Sequence, residues 1–164
     1  MKIVEKIDKA VASASRKLNV VSGIALVAMM VLVFTNVLLR SIWRPILGTY
    51  EITAFLASIT ISFALAHCAV NKGHIALTLF VDRLPARVQS GFDTFTSIIG
   101  ASLFLILAKE VAIYALQTRG TGEVGMTTEI PFYPFIFGVA FGLLMLALVL
   151  VVDILKSLKR LISG

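Results

Sequence analysis

The chain has 164 residues, enough for one ordinary domain, yet 59% are hydrophobic and only 15% charged, with a mean hydropathy of +0.98. A soluble domain carries roughly a quarter charged residues, so this composition excludes a polar-coated globule and points to a bilayer. The net charge of +6 comes from basic residues scattered between apolar blocks, which argues against a nucleic-acid-binding face, and one cysteine, Cys68, cannot form an internal disulfide.

Residues 1–17 form the first segment. Ile3, Ile7, Ala10, Val11, Ala14 and Leu18 recur at helical spacing, with Lys2, Lys6, Lys9 and Ser13 elsewhere around the wheel. Such a segment is either an amphipathic helix lying among headgroups before it turns into the membrane, or a solvated basic tail. Residues 18–164 then read as one membrane domain. About 20 apolar residues cross the hydrocarbon core as a helix, and the expected spans are residues 20–39, 52–70, 92–116 and 132–152. Each should be helical, because backbone polar groups find no water inside lipid. The first span's apolar run exceeds a signal-peptide core and no small-residue cleavage site follows before Arg40, so it is expected to be retained.

Arg40 and Arg44 close the first span, and Pro45 and Gly48 turn the chain. Trp43 suits an interfacial anchor, with a binding hot spot as the alternative. Glu51 opens the second span, where the helix dipole favours negative charge. Its alternative role is a contact with a partner or with Arg40 or Arg44. Asn71-Lys72-Gly73 ends the second span; "RGTGEVG", from Arg119, precedes the fourth; Pro131 and Pro134 are expected in that span's first turn. Eleven lysines and arginines fall on the side shared by both termini and the middle joint, against Arg40, Arg44 and Arg119 opposite. The positive-inside bias makes both termini cytoplasmic.

His67, Cys68 and His74 do not amount to a metal site, since Asn71-Lys72-Gly73 breaks the helix between the histidines and zinc generally takes three or four protein ligands. No nucleophile elbow, phosphate loop or paired carboxylate is present, so neither catalytic nor cofactor-binding residues are expected. Intramembrane charge marks transport sites, and Lys109 and Glu110 are the only charges well inside a span. With the third helix entering near Phe92, Lys109 is expected roughly 26 Å along it, near the far interface, where it can snorkel outward. Glu110 would face a neighbouring helix or Arg119. Gly138 and Gly142 form a GxxxG that serves contact either within the subunit or with another.

These features resemble the DctQ-like small membrane subunit of tripartite ATP-independent periplasmic (TRAP) transporters. The likeness rests on "NVLLRSIW" from Asn36, "YEITAFL" from Tyr50 and "GHIALTLFVDRLP" from Gly73, with Gly73, His74, Asp82 and Pro85 as its structural motif positions. Ile52 stands where members often carry a second acidic residue. The resemblance implies an all-α, four-span inner-membrane protein that is no enzyme. It further implies a partner large multi-span subunit carrying the substrate and sodium sites, and a periplasmic protein delivering an organic acid such as a C4-dicarboxylate or sialic acid. Residues 67–85 would be the cytoplasmic joint, with 75–81 along the membrane surface, and Arg40, Trp43, Arg44, Glu51 and Arg119 would offer docking or anchoring groups. The competing expectations are a self-sufficient homodimeric transporter and a structural membrane protein.

Overall fold

The computed structural model describes residues 2–71 and 86–163 and, within them, the side chains of residues 6–71, 91 and 94–156. The described residues form four helices: α1 (Lys2–Ile42), α2 (Thr49–Val70), α3 (Ala86–Thr121) and α4 (Tyr133–Ser163). All four are long and apolar enough to cross a membrane. Gly73, His74, Asp82, Pro85 and segment 75–81 lie outside the described residues.

Three of the helices outrun their apolar windows. At about 1.5 Å per residue, the 41 residues of α1 measure roughly twice the ~30 Å hydrocarbon thickness. The expected turn between the N-terminal segment and the first span is not observed, because α1 runs on without a break. No proline interrupts it, and its apolar stripe is covered by protein: Val11, Ala14 and Leu18 pack on a cluster of Ala66, Ala69, Met145, Leu146 and Val149. The tail of α4 runs alongside, and Lys156 Nζ donates to Asp8 Oδ1 at 2.5 Å. Pro134 does sit in the first turn of α4, whereas Pro131 precedes the helix and pairs with Val124 in an isolated antiparallel bridge.

Helix α4 is the hub, in contact with α1, α2 and α3, while α1 leans mainly on α2. Helices in lipid gain little from apolar burial against one another, so association rests on close packing and interhelical hydrogen bonds. Small residues supply the closeness. On α3, Thr94, Ala101, Ala108 and Ala115 are buried at seven-residue intervals, a repeat that keeps one seam against a neighbouring helix. Near the N-terminal end of that seam, a Cβ added to Gly100 would lie 3.1 Å from Leu150 Cδ1.

Between α2 and α4 the approach is tighter. A Cβ on Gly142 would stand 2.8 Å from Ser62 Cβ and 2.9 Å from the Ser62 carbonyl carbon and oxygen. Half of the GxxxG is therefore committed within the subunit; Gly138 has its nearest neighbour, Ile59 Cγ1, at an ordinary 3.8 Å. Above the crossing, Phe55 stacks on Phe135 at 4.1 Å and meets Phe132 edge-on at 5.4 Å. Between α1 and α2, Ser22 Oγ donates to the Thr60 carbonyl at 2.9 Å and Thr60 Oγ1 to the Ser22 carbonyl at 3.5 Å. Interhelical hydrogen bonds of this kind contribute about 0.6 kcal/mol on average in membranes.

Gly142→Val should push α4 off α2 and destabilise the detergent-solubilised protein by ~1–3 kcal/mol, the usual cost of overpacking. Gly138→Ala should leave stability nearly unchanged. Thermal unfolding of both variants checks the contrast.

Candidate functional site

The rim formed by the α1–α2 and α3–α4 connections carries most of the residues that the sequence singles out, and one carboxylate organises it. α1 ends beyond Arg40, and the following connection is held by Asn36, whose Oδ1 accepts from the Ile46 N–H at 2.7 Å. Thr49 Oγ1 donates back to the Ile46 carbonyl at 2.8 Å, and Gly48, at φ +77°, starts α2. This left-handed conformation suits glycine. Glu51 then stands in the first turn of α2 and points at the loop between α3 and α4.

That loop is a narrow hairpin. Gly125 N–H donates to the Ile130 carbonyl at 3.0 Å, Glu129 N–H to the Gly125 carbonyl at 3.1 Å, and Phe132 N–H to the Glu123 carbonyl at 3.3 Å. At its tip the Thr127 N–H donates to Glu51 Oε1 at 3.0 Å, the Thr128 N–H to Oε2 at 3.0 Å, and Thr128 Oγ1 to Oε2 at 2.6 Å. Both carboxylate oxygens are thus engaged by charge-assisted bonds. Glu51 therefore serves as a clasp between the α1–α2 and α3–α4 connections, and among the described residues it forms no ion pair with Arg40 or Arg44. Two glycines make room for it. A Cβ on Gly48 would collide with Thr128 Cγ2, and one on Gly125 would meet Glu51 Oε2 and lie 2.8 Å from Thr128 Oγ1.

Around this clasp the surface is open. Arg40, Arg44 and Arg119 are exposed, as are Ile42, Trp43, Leu47, Tyr50 and Met126. Arg119 lies over the Tyr133 ring at 6.0 Å, joining the end of α3 to the start of α4. The rim thus brings Arg40, Trp43, Arg44 and Arg119 to one end of the bundle, apolar and cationic side chains interleaved. At the other end, His67 Nε2 and Asn71 Nδ2 are 3.1 Å apart and Cys68 is exposed; their suggested third partner, His74, lies outside the described residues.

Lys109 and Glu110 are placed differently from the expectation. Gly100 sits opposite Leu150 and Arg119 beside Tyr133, which fixes the antiparallel register of α3 and α4. Nine residues beyond Gly100, Lys109 is level with Phe141, next to the Gly142–Ser62 crossing. Phe141 in turn meets Phe63 of α2 at 6.5 Å. This level is the middle of the uncharged stretch of α2, so Lys109 stands at mid-height and not at the far interface. The reason is that the apolar stretch of α3 runs from Thr94 to Thr121, starting later than Phe92 and continuing past Leu116, so Lys109 falls near its centre. Both side chains are exposed on the side away from the alanine seam, and among the described residues neither has an ion pair or side-chain hydrogen bond. Glu110 faces neither a neighbouring helix nor Arg119. A charge at mid-bilayer costs ~2.5–3.5 kcal/mol on insertion scales.

Thr127 and Thr128 are the rim residues that sequence reasoning passed over, and the holding role of Asn36 and the close approach at Gly125 were not visible in the motifs that contain them. The threonine pair after a glycine signals a turn, but its partner lies 77 positions away along the chain.

The family model described as "Tripartite ATP-independent periplasmic transporters, DctQ component" matches residues 29–160. No curated protein and no solved structure gives a significant match.

Gly48→Ala should destabilise the protein by more than ~1 kcal/mol, from its positive φ and from the collision with Thr128. Adding Thr128→Ser removes the colliding methyl and keeps the hydroxyl, so the double variant should melt above G48A and below the parent. Glu51→Ala should free the hairpin, read as faster proteolysis between α3 and α4 with the helical circular dichroism retained.

Proposed function

Because the chain belongs to the DctQ component family of tripartite ATP-independent periplasmic transporters, we propose that it is the transporter's small scaffold subunit in the bacterial inner membrane, with both termini cytoplasmic. It pairs there with the large multi-span subunit, which carries the substrate and sodium sites. A periplasmic binding protein delivers the substrate, an organic acid of the C4-dicarboxylate or sialic acid class. The lipid bilayer is its other partner, and nucleic acid has no part.

The observation that supports this reading most directly is the outward distribution of apolar surface. Val27, Met30, Val31 and Phe34 on α1 and Phe95, Ile99, Leu103 and Ile106 on α3 are exposed along the spans, while alanine, glycine and serine occupy the helix crossings. A chain built this way spends its bulky side chains on surroundings, lipid or other helices. The rim offers a second surface, with Arg40, Arg44 and Arg119 beside Trp43 and Tyr50, suited to a soluble protein that approaches from the periplasm. Complementary charge of this kind speeds association more than it strengthens it.

Tagged chain co-expressed with the large subunit should retain it through detergent purification. In liposomes, uptake should require both membrane subunits and the binding protein; transport by this chain alone would establish the homodimeric alternative. Replacing Arg40, Arg44 or Arg119 with alanine should each lower binding-protein-dependent uptake several-fold at low salt, with less effect at high salt. Unchanged uptake in all three variants would remove the rim from the docking surface.

A further inference from the structure

Lys109 and Glu110 form a charged step in the middle of an apolar wall. Ile106 and Ile113 lie between them on the outer side of α3, Leu105 flanks Lys109, and Leu107 and Tyr114 flank Glu110; all are exposed. Neighbouring positions on a helix project about 100° apart, so the two charges straddle this strip and do not pair with each other. The seam of Ala101, Ala108 and Ala115 occupies the opposite side of α3, so rotation of the helix cannot bring them inward without exposing that seam.

Reaching water is no remedy at this depth. The hydrocarbon half-thickness is roughly 15 Å, well beyond a lysine stem and further beyond a glutamate. Both side chains also lean toward the N-terminal end of α3, so neither extends toward the rim. In lipid the two would be uncompensated charges. We propose that the strip from Ile106 to Ile113, with Lys109 on one edge and Glu110 on the other, is the surface on which the large membrane subunit docks, bringing a carboxylate to Lys109 and a basic or hydrogen-bond-donating group to Glu110 at mid-membrane. This rests on the assembly reading above, and it deepens that reading by choosing α3 over the equally apolar face of α1. Charge complementarity makes the choice: the described outer face of α1 at Val27, Met30, Val31 and Phe34 offers nothing for a polar partner to recognise. The match to one component of a tripartite system makes the occupant a different polypeptide.

The test uses the full chain co-expressed with the large subunit. A photo-crosslinking amino acid is placed at Ile106, at Ile113 and, as a control, at Val27. Adducts to the large subunit from both α3 positions and not from Val27 are the expected result. K109M/E110Q should lower the recovered large subunit at least tenfold, while the melting temperature of the variant chain alone stays at or above the parent's. Adducts from Val27 alone, with co-purification intact, overturn the α3 assignment and leave the assembly standing. Absence of the large subunit from the parent preparation overturns the assembly itself. Adducts between two copies of this chain overturn the proposal in favour of self-association.

Discussion

The bundle depends on how closely α4 can approach α2, and that distance is set by one missing side chain. Gly142 lies so near Ser62 that a Cβ would press on backbone atoms, which cannot move aside as a flexible side chain could. Since α4 also carries α3 along an alanine seam and touches the N-terminal half of α1, its position fixes the others. Lipid offers these helices no hydrophobic reward for meeting. What holds them is the number of atoms brought into contact, each worth only about 0.1–0.2 kcal/mol, and small residues maximise that number by letting backbones come together.

Towards the aqueous ends the cohesive forces change. At the rim, Glu51 clasps the tip of the α3–α4 hairpin and Asn36 holds the α1–α2 connection. At the end that carries both termini, Asp8 and Lys156 join the extensions of α1 and α4, and Asp153 lies a turn from Lys156. The Glu51 clasp and the Asp8–Lys156 pair tie together elements far apart in sequence. Packing sets the helix spacing in the middle and polar contacts fix the ends.

The four spans were legible in the sequence because lipid enforces a simple rule, an uncharged run of sufficient length, and α2 begins only three residues before its expected start. What the rule cannot give is depth. Lys109 and Glu110 look like the end of an uncharged run, and only the register set by Gly100 and Leu150 shows that they stand at mid-height. The continuity of α1 was hidden for a similar reason: its basic face suits headgroups, but its apolar stripe found protein at Ala66, Met145 and Val149. Glu51 was recognised as a helix-start acid, which it is, but its partners arise from a tertiary contact that no local pattern encodes. The motif at Gly73, His74, Asp82 and Pro85 has no structural counterpart among the described residues.

The distribution of polarity across the bundle bears on what such a chain can do. Among the described residues the buried polar side chains are Ser15, Ser22, Thr49, Ser62, Thr94 and Thr118, every one a hydroxyl, and Ser22 and Ser62 donate to backbone carbonyls of the helices themselves. The mid-height charges, by contrast, face outward. A protein that passes a polar solute through its own interior places ionisable groups on the inside, where they line the path and are shielded from lipid. Here the arrangement is inverted. Inside, Ser22 links α1 to α2 while Ser62 and Thr49 bond carbonyls of their own or the adjoining segment, and the charges face outward. Polarity in this chain is thus divided between hydroxyls within the bundle and charges on its outer face, the reverse of the arrangement that lines an internal path.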